Sequence, residues 1–171
     1  RYDSSDAIYL EVKKKDAKGV TVKNRIRTQN NEASILSREE EFLSRFTPFL
    51  GETIFPVMEN KFNRITLVDH EQKERITLDY NLWFSSRKEE ASLEVPGISI
   101  AEIKYATLLS ASPFHAAMRR AGVVPRRFSK YCVGMAMLDP ELKQNLFKQK
   151  IRRVRKINDQ YLTLIKEKSY A

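Results

Sequence analysis

A chain of 171 residues, 42% hydrophobic and 31% charged, is long and apolar enough for one domain with a real core, which fits a globular protein rather than a disordered one. Its 31 Lys and Arg against 22 Asp and Glu leave a formal net charge of +9, so the expected partner is anionic: nucleic acid, a membrane surface or a phosphate-rich molecule. The one cysteine, Cys132, excludes an internal disulfide framework and a cysteine-based zinc site and fits a reducing compartment, and no apolar run approaches the ~20 residues of a membrane span. No signal peptide is visible, and the opening Arg1-Tyr2-Asp3, without Met, reads as the end of a strand in a fragment.

Five segments are predicted to be strands. In the first, Ile8, Leu10 and Val12 alternate with Tyr9, Glu11, Lys13 and Lys15, and Asp16 to Gly19 supplies a turn. In the second, Val20, Val22 and Ile26 alternate with Thr21, Lys23, Arg25 and Arg27. A third runs from about Thr53 to Leu67. A polar turn, Asp69 to Lys73, joins it to a fourth in which Ile76, Leu78, Tyr80 and Leu82 oppose Arg75, Thr77, Asp79 and Asn81. In the fifth, Ala101, Ile103 and Tyr105 alternate with Ile100, Glu102 and Lys104.

Three segments are predicted to be helices. Ser37 caps one through Leu50, with Glu40 at the capping-box position and Gly51 as its stop. Ser112-Pro113 opens a short one ending near Gly122. After Asp139-Pro140, residues Leu142, Leu146, Phe147, Ile151, Val154, Ile157, Tyr161 and Leu164 recur at helical spacing and predict a long basic amphipathic helix over about 140–168. Its other face carries Lys148, Lys150, Arg152, Arg153, Arg155 and Lys156. Loops are expected at Gln29 to Ala33 and Ser85 to Gly97. Strands outnumber helices and short turns join them, so the fold class is α+β with a largely antiparallel sheet, in a single domain over residues 1–171.

Strand side chains alternate faces with period two. Glu11, Lys13 and Lys15 therefore share a face, as do Lys23, Arg25 and Arg27, Arg75 and Asp79, and Glu102 and Lys104, each opposite apolar positions. Two arrangements satisfy this pattern. One is an ordinary sheet with its charged face in water. The other is a curled sheet with an inward basic lining, which repels itself unless an anion fills it. Periodicity leaves both open.

Four local sequences, in order, resemble one family. IYLEVKKKDAKGVTVKNRIR (residues 8–27) resembles its Glu-x-Lys-x-Lys strand followed by its Lys-x-Arg strand, and FNRITLVDHEQKERITLDYNLWF (62–84) its paired arginine strands. ISIAEIKYA (98–106) resembles its Glu-x-Lys metal strand and RRFSKYCVGM (126–135) its Phe-Ser-Lys-Tyr segment. The family is that of the VTC-type polyphosphate polymerase domains, a branch of the triphosphate tunnel metalloenzymes grouped with CYTH proteins. The resemblance implies an eight-stranded antiparallel tunnel barrel flanked by helices, and ATP-dependent extension of polyphosphate with Mn²⁺ or Mg²⁺. It implies Lys13, Lys23, Arg64, Arg75 and Lys130 as phosphate ligands, with Arg64, Arg75 and Lys130 at the chemistry, and Glu102 as metal ligand. Lys15, Arg25 and Ser129 are further candidates for the tunnel wall, and Lys104 stands beside the metal glutamate. The family's domain begins before this chain does, with further basic strands, including an Arg-x-Arg strand that Arg1 and Tyr2 finish. The tunnel is therefore expected to be incomplete in this chain.

The remaining residues carry plainer expectations. His70 and His115 lack a second ligand at metal spacing and are expected at the surface or in packing. Cys132 is expected as a buried thiol, Trp83 in the core, and Glu39, Glu40 and Glu41 at a helix N-terminus. Asp79 fits either a partner for an arginine or a plain salt bridge. The basic C-terminal helix is a solvated face or a contact for an anionic membrane surface or for polyphosphate. No P-loop, dinucleotide fingerprint, His-Glu-x-x-His or nucleophile elbow is present. The expected partners are ATP and polyphosphate, in the cytoplasm, at a membrane's inner face if the helix meets lipid. Triphosphate hydrolysis in the same tunnel and non-catalytic binding of polyphosphate or inositol phosphate are the alternatives. Nucleic acid is disfavoured, because aromatics are not interleaved with basic residues on one strand face.

Overall fold

Alternation in the first segments produces an antiparallel hairpin of β1 (Ile8–Lys15) and β2 (Thr21–Thr28). It belongs to a computed structural model that describes residues 7–17, 20–29, 35–70, 74–88, 90–105 and 112–169. The fold is α+β, with antiparallel sheets and four helices among the described residues, in two units, residues 1–56 and 57–171. No sheet closes into a barrel among the described residues. The expected strand end at Arg1 and Tyr2, most of the loop after Gln29, and turn residues 18–19 and 71–73 lie outside them.

A two-stranded hairpin is marginal alone and needs cover on its apolar face. Helix α1 (Ser37–Phe46) supplies it, packing on both strands with Phe42 and Leu43 buried. Thr28, on the Ile8 and Ile26 face, donates its hydroxyl to Glu39. Glu39 also accepts the Leu36 N–H at 3.0 Å, so Leu36 and Glu39 cap the helix, not Ser37 and Glu40. The helix stops at Phe46, short of the expected Leu50, because Pro48 disfavours helical backbone at Thr47, which is extended (φ −137°, ψ 157°). Glu40 instead accepts the Gly51 N–H at 2.9 Å, an approach so close that a Cβ on Gly51 would lie 1.9 Å from Glu40 Oε2.

The larger unit is built on β4 (Glu74–Ser86), paired on one edge with β3 (Met58–Val68) and on the other with β5 (Ser92–Val95) and β6 (Ile100–Tyr105). β3 starts at Met58 rather than Thr53, because Gly51–Thr53 form a 3-10 turn and Pro56 follows. β5 lies in the segment expected to be a loop.

The β3–β4 register slips between Lys61 and Asn63, where Asn81 and Leu82 oppose the single residue Phe62. This is a β-bulge, and Asn81 takes the left-handed backbone (φ 53°) that asparagine tolerates better than most residues. It reverses the parity of β4, so Thr77 and Asp79 share a face with Leu82 and Phe84, and all four are buried. The simple alternation expected across Asn81 is thus broken, and Trp83 is half-buried rather than core. The core is Leu82, Phe84, Val95, Ile98, Val133, Leu138 and Val154.

Helix α2 (Pro113–Arg120) is capped by Ser112, as expected, whose Oγ accepts the His115 N–H and donates to buried Glu74 at 2.8 Å. Helix α3 (Lys130–Leu138) packs on β3 and β4. Gly134 makes that approach possible: a Cβ there would sit 2.5 Å from Phe84 Cδ1. Helix α4 (Lys148–Ser169) starts later than the expected 140 and buries Ile151 and Val154. Asn158 Oδ1 accepts the Gly97 N–H at 2.9 Å, fixing the turn between β5 and β6 on the helix. Beyond it Tyr161, Leu162, Leu164 and Ile165 are exposed. His70 is exposed, and His115 and Cys132 are half-buried, so the thiol is less enclosed than expected. Among the described residues no helix is long and apolar enough to cross a membrane.

Candidate functional site

The hairpin register puts both charged sets on one face. Tyr9 lies opposite Arg27, Glu11 opposite Arg25, Lys13 opposite Lys23 and Lys15 opposite Thr21. Five cations thus share a surface with one carboxylate. Glu11 serves two of them, at 2.5 Å from Lys23 Nζ and 3.4 Å from Lys13 Nζ, and the Arg25 guanidinium stacks 4.8 Å from the Tyr9 ring centroid. Burial works to raise the Glu11 carboxyl, but the Lys23 hydrogen bond and the charges of Lys13 and Lys23 outweigh it and hold it below the ordinary 4.5. The surplus positive charge is exposed, with Lys13, Lys15, Lys23, Arg25 and Arg27 all open to solvent.

The larger unit repeats the pattern. Along β3, β4 and β6 one face carries the row Arg64, Asp79, Ile100, then Thr66, Thr77, Glu102, then Val68, Arg75, Lys104. The opposite face carries Ile65, Leu78, Ala101 and Leu67, Ile76, Ile103. Arg64, Arg75 and Glu102 therefore come together on one surface through register alone.

Lys130 joins them from α3. Ser129 caps that helix, its Oγ accepting the Cys132 N–H at 3.3 Å, and Lys130, the first helical residue, reaches Asp79 Oδ2 at 2.5 Å. Asp79 also receives two bonds from Arg64, Nε at 2.6 Å and Nη2 at 2.7 Å, the fork geometry that only arginine supplies. The Asp79 side chain is 4% exposed, against 27% for Arg64 and 20% for Lys130. Glu102 is 56% exposed and lies 3.3 Å from Lys104 Nζ.

Burial alone would raise the Asp79 carboxyl; the bonds from Arg64 and Lys130 overcome that and hold it below its ordinary 3.8. A carboxyl depressed in the folded state adds stability above that ordinary value, and the contribution is lost as pH falls through the lower folded value. Asp79→Asn should therefore melt well below the parent at neutral pH, a deficit of about 2–4 kcal/mol for breaking a buried ion cluster. Thermal melts on acidification below 3.8 should show the gap closing. A gap of constant size would contradict the assignment.

The expected site residues fall in both units: Lys13, Lys15, Lys23 and Arg25 on the hairpin, and Arg64, Arg75, Glu102, Ser129 and Lys130 in the larger unit. The ring of Phe62 was not anticipated. It shares the Arg64 face two residues upstream, and strand parity was the available signal. Its centroid lies 5.2 Å from the Arg64 guanidinium carbon and 4.4 Å from Lys130 Nζ.

For a divalent cation, the described residues contain no cluster of three or more His, Cys, Asp or Glu. That donor set does not build an all-protein cage. An exposed single carboxylate does fit the mode in which Mg²⁺ or Mn²⁺ is shared between one or two protein carboxylates and substrate phosphates.

The chain belongs to the VTC domain family, whose model matches residues 1–139. The family is polyphosphate polymerase-related. No match was found among curated proteins or among solved structures. The match ends before α4 begins.

Proposed function

We propose that this chain binds ATP and polyphosphate through its basic sheet faces and serves metal-dependent transfer of the ATP γ-phosphate to a polyphosphate chain. The observation that carries the reading is the β3–β4–β6 register, which puts Arg64, Arg75 and Glu102 on one face with Lys130 brought to it by α3.

Phosphoryl transfer asks little covalent help of a protein; it asks for alignment and neutralised charge. A terminal oxygen of the polyphosphate attacks Pγ, the new O–P bond forms, and the bond from Pγ to the bridging oxygen breaks, leaving its electron pair on ADP. No side-chain nucleophile takes part. Arg64 and Lys130, fixed in place, meet phosphate oxygens, while Arg75, four residues from Asp79 on the same face of β4, neutralises charge on a phosphate further along the chain. Lys13, Lys15, Lys23 and Arg25 offer a separate phosphate-binding face on the hairpin, and Ser129 holds the start of α3 so that Lys130 keeps its position. Glu102 would hold Mg²⁺ or Mn²⁺, which when bound neutralises charge across phosphate oxygens.

Chain-length analysis after incubation with ATP and Mn²⁺ tests the reading. Long chains are expected. Released phosphate alone would make the site a triphosphatase, and binding without turnover would make it a polyphosphate or inositol-phosphate binding module. The same reading places the chain in the cytoplasm, with the exposed basic residues Lys148, Arg152, Arg153, Arg155 and Lys156 of α4 facing an anionic membrane. Failure to cosediment with phosphatidylserine vesicles at low salt would remove that last element.

A further inference from the structure

We infer that Asp79, together with the Phe62 ring, is a positioning device that locks Arg64 and Lys130 into a preformed phosphate-binding pair. The inference rests on the phosphate-binding reading and adds how the site is held. Arg64 and Lys130 come from different elements, β3 and α3, so neither fixes the other through the backbone. One carboxylate meets both: Asp79 takes the Arg64 fork through its two oxygens and Lys130 through Oδ2.

The Phe62 ring meets both cations as well, with centroid distances of 5.2 Å and 4.4 Å. Phe62 is itself anchored, packed on the Leu82 and Phe84 cluster. The bulge at Asn81 is what lets a buried carboxylate share that face, because it puts Asp79 on the same side as Leu82 and Phe84. Long, flexible side chains that would otherwise lose rotamer freedom on binding a phosphate are thereby ordered beforehand.

The sign of one substitution separates this role from simple electrostatics. Asp79→Asn removes a negative charge from an anion-binding face, so Coulomb attraction alone makes inorganic tripolyphosphate bind more tightly. Positioning makes it bind more weakly.

The expected result, by calorimetric titration of the full chain at fixed low salt, is binding weakened at least ~10-fold in D79N, with a smaller loss for Phe62→Leu, which keeps bulk but removes the ring. In a Lys130→Ala background the D79N loss should shrink several-fold, because half of what Asp79 holds is gone; a purely structural role would leave it unchanged. D79N binding equal to or tighter than the parent overturns the inference, and so does an undiminished loss in the K130A background. If D79N does not fold, F62L decides: binding equal to the parent overturns the inference and weaker binding supports it. A parent chain that fails to bind tripolyphosphate overturns the phosphate-binding reading itself, whereas a binding parent with an unaffected D79N overturns only the role of Asp79.

Discussion

Arg75→Ala and Glu102→Ala proteins are each expected to lose at least ~100-fold of the ATP-dependent polyphosphate synthesis of the parent, measured as chain product per time with Mn²⁺ present. The magnitude is that of removing one preorganised charge-stabilising group from a site that works by electrostatics, roughly 10²–10³ in turnover. The two losses should differ in kind. Arg75 acts on phosphate directly, so extra Mn²⁺ should not restore the R75A protein. Glu102 is proposed to act through the cation, so its loss should shift the Mn²⁺ dependence to higher concentration before it abolishes turnover. Both side chains are solvent-exposed at their register positions, so their removal should leave the melting temperature close to the parent's. Near-parental turnover in both variants would end the polymerase reading.

The second large effect is on folding. Phe84→Ala should destabilise the larger unit by about 3–5 kcal/mol, the usual range for emptying an aromatic site in a core. Thermal unfolding should drop by on the order of 10 °C or more. Phe84 is 2% exposed and meets α3 at Gly134, where no side chain stands between helix and ring. The neighbouring Trp83 is larger but only half-buried, with Lys61 Nζ 4.8 Å from its ring. Trp83→Ala should therefore cost less than Phe84→Ala. The opposite order would mean that the bulge does not set the faces of β4 as described.

That pair of residues also shows what could be read in the sequence and what could not. Strands β1, β2 and β6 follow from period-two alternation, because nothing interrupts their ladders. Ser112-Pro113 announces α2, since a serine cap and a proline at the first turn act locally. Arg75 and Glu102 were assignable to strand faces, and the resemblance to the VTC family supplied the roles expected of them and of Arg64. The bulge was not legible, because a left-handed Asn81 is chosen by pairing with β3 rather than by its own neighbours. Trp83 was expected in the core as an aromatic residue, and it lies on the face opposite buried Leu82 and Phe84. β5 was hidden by its four-residue length, and α3 by a sequence, KYCVGMAML, that is apolar nearly all round and so shows no amphipathic period. The Asp79 link to Lys130 spans 51 positions in the chain and depends on where α3 lands.

The Asn81 bulge makes β4 two half-strands spliced at one extra residue. Residues 76–80 and 82–85 each alternate between buried and less buried positions, but the two frames are offset by one. A single-residue deletion at the splice would merge them, swinging Thr77 and Asp79 to the reverse side or trading Phe84 for Trp83 inside. The strand therefore tolerates exchange of side chains within either frame far better than any change in its length.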